Sequence, residues 1–195
     1  MKKISLILCL LLVSCLCLSA CRIASEDKLI APGTASTTAA RTTAEGTVYH
    51  WEKQLDYEAQ AIRADNLMDM DVTYSSSNAV LLSSASAVED YCISCKPDFY
   101  ESSRHAKLLQ ACEKYDDRYF ETKILLVVEI YAGSSSYTHT VDGVGQLEGS
   151  EKYTVVIHTT YPEYSNAEVA YWQLLIELDK DAGITSADQI EVMRD

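Results

Sequence analysis

Ile124-Leu125-Leu126-Val127-Val128 is an unbroken run of β-branched and leucine side chains. Successive side chains of a strand point to opposite faces, so a run that is apolar at both parities predicts a strand covered on both faces, in the middle of its sheet. Just downstream, Ala132-Gly133-Ser134-Ser135-Ser136 supplies turn residues. Tyr137, His139 and Val141 then alternate with Thr138, Thr140 and Asp142, which predicts an antiparallel partner joined to the central strand as a hairpin. After a connection over 145–150, Tyr153, Val155 and Ile157 alternate again. Beyond a loop around Pro162 and Asn166, the residues Ala170, Trp172, Leu174, Ile176 and Leu178 form the cleanest alternation in the chain, and Ile190 with Val192 predicts a short final strand.

Upstream of the central run, Tyr49, Trp51, Leu55, Tyr57, Ala59 and Ala61 share one parity, with Glu52, Gln54, Asp56 and Glu58 between them. This predicts one or two half-buried strands. Val80-Leu81-Leu82 leads into Ser83, Ser84 and Ser86, and Ser86 with Glu89 has capping-box spacing, which predicts a helix to about Cys95, ended by Lys96-Pro97. Within 104–114, Leu108, Leu109 and Cys112 fit a second short amphipathic helix, with Asp116-Asp117 after it. Strands joined by short turn-rich connections, with helices confined to one stretch, predict an α+β chain that is mainly β. The expected architecture is an antiparallel sheet or sandwich with one or two short helices.

The chain has 195 residues, room for one medium domain plus extensions. Sixteen Lys and Arg against 29 Asp and Glu give a net charge of −13, the wrong sign for a nucleic-acid partner. Hydrophobic residues make up 48% of the chain, enough for a core and too many for wholesale disorder. Lys2 and Lys3 followed by an apolar stretch over 4–18 predict a secretory signal, too short for a spanning helix. The stretch closes on Leu18-Ser19-Ala20-Cys21, which resembles a bacterial lipobox, so Cys21 is expected to become a diacylated N-terminus that anchors the protein at the extracytoplasmic face of the cell membrane. Leu12-Val13-Ser14-Cys15 matches as well, but cleavage there would leave Leu16, Cys17 and Leu18 exposed at the new terminus. Loss of residues 1–20 removes Lys2 and Lys3 and no acid, so the mature charge is 14 − 29 = −15. Anionic headgroups repel such a body, which leaves the lipid as the attachment and a tether as the spacer. Residues 21–46 are rich in Ala, Thr and Ser and read as that disordered linker, with 47–195 as one β-rich domain.

Taken in order, the Ser-capped helix, Tyr115-Asp116-Asp117-Arg118-Tyr119-Phe120-Glu121, the 124–128 run, Gly133-Ser134-Ser135-Ser136 and Ala170-Tyr171-Trp172 resemble a group of bacterial lipoproteins. That group is in turn similar to the C-terminal domain of PrcB, a lipoprotein subunit of a surface protease complex. The likeness covers about residues 80–180, and the serine-rich turn here departs from a more glycine-rich form. It implies a β-rich domain with an accessory or binding role, partnered by another envelope protein or a protease, and it carries over no active-site residue.

Few constellations point to chemistry. Cys92-Ile93-Ser94-Cys95 has the spacing of thiol redox sites and half zinc sites, and Cys112 with His105 would complete a zinc set. This defines the competing reading, an envelope thiol or zinc-dependent module using Cys92, Cys95 and Cys112. The alternative for the same residues is buried thiols or one disulfide, with Cys112 bridging either Cys92 or Cys95. Ser134–Ser136 with His139 and Asp142 carry the residue types of a hydrolase triad, but His139 and Asp142 project to opposite faces of a strand, and no nucleophile elbow is present. Asp65, Asp69 and Asp71 lack the glycine and glutamate of a Ca²⁺ loop, and Glu163 and Glu168 read as a solvated acidic loop. No catalytic residue, cofactor or metal is assigned. Tyrosine is abundant, 13 residues, and Ser134, Ser135, Ser136, Tyr137, Tyr161, Tyr164 and Tyr171 are the expected binding surface, with Tyr131 beside them.

Overall fold

The computed structural model describes residues 41–42, 48–64, 77–97 and 102–194. The signal segment, Cys15, Cys21 and the Asp65, Asp69, Asp71 cluster lie outside the described residues. In chain order the strands are β1 (Arg41–Thr42), β2 (Val48–Tyr49), β3 (Trp51–Gln54), β4 (Tyr57–Ala64), β5 (Ser77–Leu82), β6 (Lys123–Ala132), β7 (Thr138–Leu147), β8 (Tyr153–Thr160), β9 (Ala170–Asp179) and β10 (Ile190–Arg194). Helices α1 (Ala85–Ser94) and α2 (Ser103–Cys112) fall between β5 and β6.

The strands form two four-stranded sheets, ordered β4-β9-β6-β5 and β10-β8-β7-β3. Every pairing in them is antiparallel except that of β10 with β8. The sheets pack face to face: Ile124, Leu126, Val128 and Ile130 of β6 and Leu174, Ile176 and Leu178 of β9 meet Val141, Val144, Val155 and Ile157 of the second sheet. On the opposite face of the first sheet, Leu125, Val127 and Leu175 pack against Val88, Tyr91 and Cys92 of α1, Leu108 of α2 and Phe120. The fold is therefore helices on sheet on sheet, a mainly-β α+β sandwich, as the alternations predict.

The 124–128 run sits where its composition requires. Leu125 to Val128 have no exposed surface, alternate members feed the two cores, and β6 lies between β9 and β5. Burying each such side chain is worth about 1.5–3 kcal/mol, so this strand anchors both layers.

Three sequence expectations change. β6 and β7 are not a hairpin, because the edges of β6 are taken by β5 and β9, and β7 pairs with β3 and β8 in the other sheet. Residues 133–137 carry the chain across the sandwich instead; turn residues permit either path, and the free sheet edge decides between them. Helix α1 is capped by Ser84 rather than Ser86, since the Ser84 Oγ accepts from the Ala87 N–H at 3.2 Å while Ser86 lies in the first turn. Either serine can cap, and the end of β5 at Leu82 leaves Ser84 in the extended conformation a cap needs. Finally, Arg41–Thr42, within the segment read as linker, pairs antiparallel with β2.

Candidate functional site

Two connections cross between the sheets at one end of the sandwich: residues 133–137 from β6 to β7, and 161–169 from β8 to β9. The serines of the first are committed to holding the second. Ser134, itself buried, donates from Oγ to the Asn166 Oδ1 at 2.8 Å and accepts from the Ser136 N–H at 3.2 Å. Ser135 donates its N–H to the same Asn166 oxygen at 3.2 Å, and its hydroxyl accepts from the Asn166 Nδ2 at 2.7 Å while donating to Glu168 Oε2 at 2.8 Å. Asn166 also donates its own N–H to Ser136 Oγ at 3.4 Å. One asparagine side chain thus satisfies a turn that the sequence shows only as serine-rich.

Glu168 extends the lacing to other elements. Its Oε1 pairs with Arg63 at the end of β4 at 3.2 Å and with Arg104 in the first turn of α2 at 4.0 Å. The Ser135 hydroxyl and then the Arg63 guanidinium hold its carboxyl below the usual carboxylate range. Glu168 is therefore more than the solvated acid the sequence suggests.

Upon this frame stand the tyrosines. Tyr137 and Tyr161 meet edge to face with centroids 4.8 Å apart, and Tyr131 and Tyr171 do so at 5.5 Å. Tyr161 is 59% exposed and Tyr164 84%, with Val169 beside them at 39%. Of the expected binding residues, the structure brings the serines, Tyr137, Tyr161 and Tyr164 to one end, but assigns the serines to support rather than contact. Tyr131 is buried and Tyr171 only partly exposed, so the outward apolar surface belongs to Tyr161 and Tyr164.

No triad forms among Ser134–Ser136, His139 and Asp142. His139 is buried on the inner face, its Nδ1 is 3.0 Å from Thr159 Oγ1, and its ring meets that of Trp172 edge to face at 5.7 Å. Asp142 instead accepts from the Thr140 hydroxyl at 3.4 Å. Burial, then the positive Arg194, pushes the His139 imidazole down to about 4, so it is neutral at pH 7.

The three body cysteines gather under the helices as free thiols, but they face different ways. Cys95 accepts from Gln173 Nε2 at 3.2 Å on the sheet side. Cys92 and Cys112 line a cleft of about 610 Å³ between α1 and α2, which also takes in His105. Among the described residues no group of three or more His, Cys, Asp or Glu side chains is disposed to hold a metal ion, so the zinc set does not assemble.

Sequence reasoning passed over the buried network beneath α1. Glu129 has no exposed surface although it lies in the central strand. Tyr91 donates from its hydroxyl to Glu129 Oε1 at 2.8 Å, Asn78 Nδ2 donates to Oε2 at 3.2 Å, and Gln173 Nε2 donates to the Tyr91 oxygen at 2.9 Å. Burial, then the nearby carboxylate, pushes the Tyr91 phenol far above its ordinary value, which keeps it a donor. The signal was present: a single acid interrupts an otherwise apolar strand, and a strand buried on both faces must partner such a group.

The family models, curated proteins and solved structures compared with this chain contain no match to it. Among the described residues no helix is long and apolar enough to cross a membrane.

Proposed function

We propose that this chain is a lipid-anchored extracytoplasmic protein whose sandwich domain binds another envelope protein without catalysing a reaction. The observation that carries the reading is the loop over 161–169. It presents Tyr161, Tyr164 and Val169 outward while Asn166 and Glu168 fix its backbone to two other elements. A loop held rigid in this way loses little conformational entropy on binding, and tyrosine supplies large apolar area with a hydroxyl for orientation. The net charge of −13 favours a protein partner over a phosphate-bearing one, and the resemblance to lipoprotein subunits of a surface protease complex makes a protease the first partner to test.

The test has two readouts. Labelled palmitate should enter the wild-type protein and not Cys21→Ser, and failure of the label to enter removes the anchor. A photocrosslinker placed at the exposed neighbour Glu163 in the membrane-bound protein should trap one envelope protein. Tyr161→Ala with Tyr164→Ala should weaken that capture at least about tenfold, since two interface aromatics are commonly worth more than about 1.4 kcal/mol together, while loss of the Tyr137–Tyr161 contact lowers the melting temperature by only a few degrees. Equal capture by the double variant, or none by the wild type, removes the binding reading.

A further inference from the structure

The two helices run in opposite directions over the outer face of the first sheet. α1 begins just beyond Leu82, whose cross-strand partner Leu125 lies opposite Glu177 near the end of β9. It ends where the Cys95 sulfur accepts from Gln173, nearer the start of that strand. α2 begins with Arg104 paired to Glu168, just ahead of β9, and is followed by Lys114 and Tyr115, both bonded to Glu177. The cleft between the helices is lined at helical spacing on both sides, by Ala85, Val88, Cys92 and Lys96 and by Ser102, His105, Leu109 and Cys112. Ten or so residues at 1.5 Å each make it about 15 Å long. Because the helices are antiparallel, Lys96, Ser102 and His105 share one end of the cleft, and Glu89, Cys112 and Glu113 lie toward the other.

A volume of about 610 Å³ with a mostly apolar wall is the usual makeup of a small-molecule site. Ile93 and Leu109, 63% and 46% exposed, stand one on each helix along it. At the basic end, the Ser102 hydroxyl is occupied in capping α2, which leaves Lys96 and His105 to meet a polar group. The His105 Nδ1 is shut off from water and has no hydrogen-bond partner among the described residues. A buried N–H without an acceptor is rarer than a buried bare acceptor, so the ring proton sits on Nε2 and gives this end a second donor besides the Lys96 ammonium.

We propose that this cleft binds a medium-chain alkyl carboxylate, with the head at Lys96 and His105 and the chain laid along Ile93 and Leu109 toward Cys112. Charge sets the orientation: the donors attract the carboxylate at one end, and Glu89 and Glu113 repel it from the other. Between the ends the wall offers apolar groups and two thiols, where an extended peptide would leave its backbone polar groups unpaired and a polymethylene chain has none to pair. A chain of about ten carbons spans most of a cleft about 15 Å long and covers the two exposed apolar side chains. An ester-linked acyl chain lacks the charged head, so the ligand is the free acid rather than a membrane lipid. This inference does not rest on the partner-binding reading, which concerns the tyrosine loop.

The experiment titrates sodium decanoate into the purified full chain in phosphatidylcholine nanodiscs. It follows the melting temperature and, by mass spectrometry, the rate at which N-ethylmaleimide alkylates Cys112, a half-buried thiol of the cleft wall. Decanoate should raise the melting temperature by a few degrees and slow the alkylation about tenfold at saturation. Octanoate should need a roughly tenfold higher concentration for half-protection, because each methylene buried is worth about fourfold in affinity. Methyl decanoate and decyltrimethylammonium, which lack the carboxylate, should each protect at least about tenfold less well. Lys96→Glu, at an exposed site beyond the end of α1, should raise the half-protecting decanoate concentration at least about fivefold. Decanoate leaving both readouts unchanged would give the cleft to another occupant and overturn the assignment. Equal protection by the ester or the cation, or an unchanged requirement in Lys96→Glu, would overturn it as well, by showing apolar filling without recognition of the head. The comparison of ligands on the wild type decides the matter even where the variant fails to fold.

Discussion

His139 is a neutral imidazole at the inner face of the second sheet, and its folded value of about 4 lies below the ordinary 6.5. The unfolded chain therefore binds the proton more tightly than the folded one. The stabilising effect of a neutral His139 is fully present above about pH 6.5 and is lost as pH falls through that value toward about 4, a change on the order of 3 kcal/mol. Urea denaturation of the wild type and His139→Gln across pH 4–7 should show a steeper acid loss in the wild type; parallel profiles would refute the buried neutral state. The sequence placed this histidine on a strand, where the structure has it, but it held no sign that Thr159 and Trp172 close over the ring. Thr159 comes from β8, alongside β7 in the same sheet, and Trp172 from β9 of the opposite sheet, and one-dimensional alternation says neither which strand lies beside a given residue nor which lies over it. The same limit hid Asn166. An asparagine in a loop is an ordinary turn residue until a serine turn about thirty positions earlier is found against it.

At the scale of elements, the pairing of β3 with β7 depends on the absence of a side chain. A Cβ on Gly145 would stand 2.3 Å from the Lys53 carbonyl oxygen and 2.9 Å from the Trp51 ring, so backbone would have to move. Gly145→Ala should cost about 1–3 kcal/mol and lower the urea midpoint, and an unchanged midpoint would contradict the close approach of the two strands. Strand positions were readable because period 2 survives wherever one face is buried, and the 124–128 run was readable because both faces are. Partner choice was not. β6 and β7 each look like half of a hairpin, yet residues 133–137 pass from one sheet to the other, and only the occupancy of the edges of β6 by β5 and β9 determines this. The helix ends were readable to within two residues, since serines at 83, 84, 86 and 102 offer several caps and the ends of flanking elements select among them.

For the whole molecule, β6 and β9 contribute alternate side chains to both cores, the one between the sheets and the one beneath the helices. Neither core can open without disturbing the strands that build the other. Unfolding should therefore be a single transition, with Trp51 and Trp172 fluorescence coincident with the helical signal in far-ultraviolet circular dichroism; separated transitions would show that the helical layer melts by itself. What the sequence determined by itself is whatever depends on local chemistry: the periodicity of the strands, the doubly buried central run, the two short helices, the excess of acid, and the lipobox-like ending at Cys21. What only the tertiary structure decided is whatever depends on which surfaces meet: the two-sheet pairing, the burial of Glu129 against Tyr91 and Asn78, the lacing of the serine turn by Asn166, and the placing of Cys92 and Cys112, but not Cys95, along one cleft. The physical reason is that residue type fixes what a side chain must find, apolar cover or a hydrogen-bond partner, while distance along the chain carries no information about who supplies it.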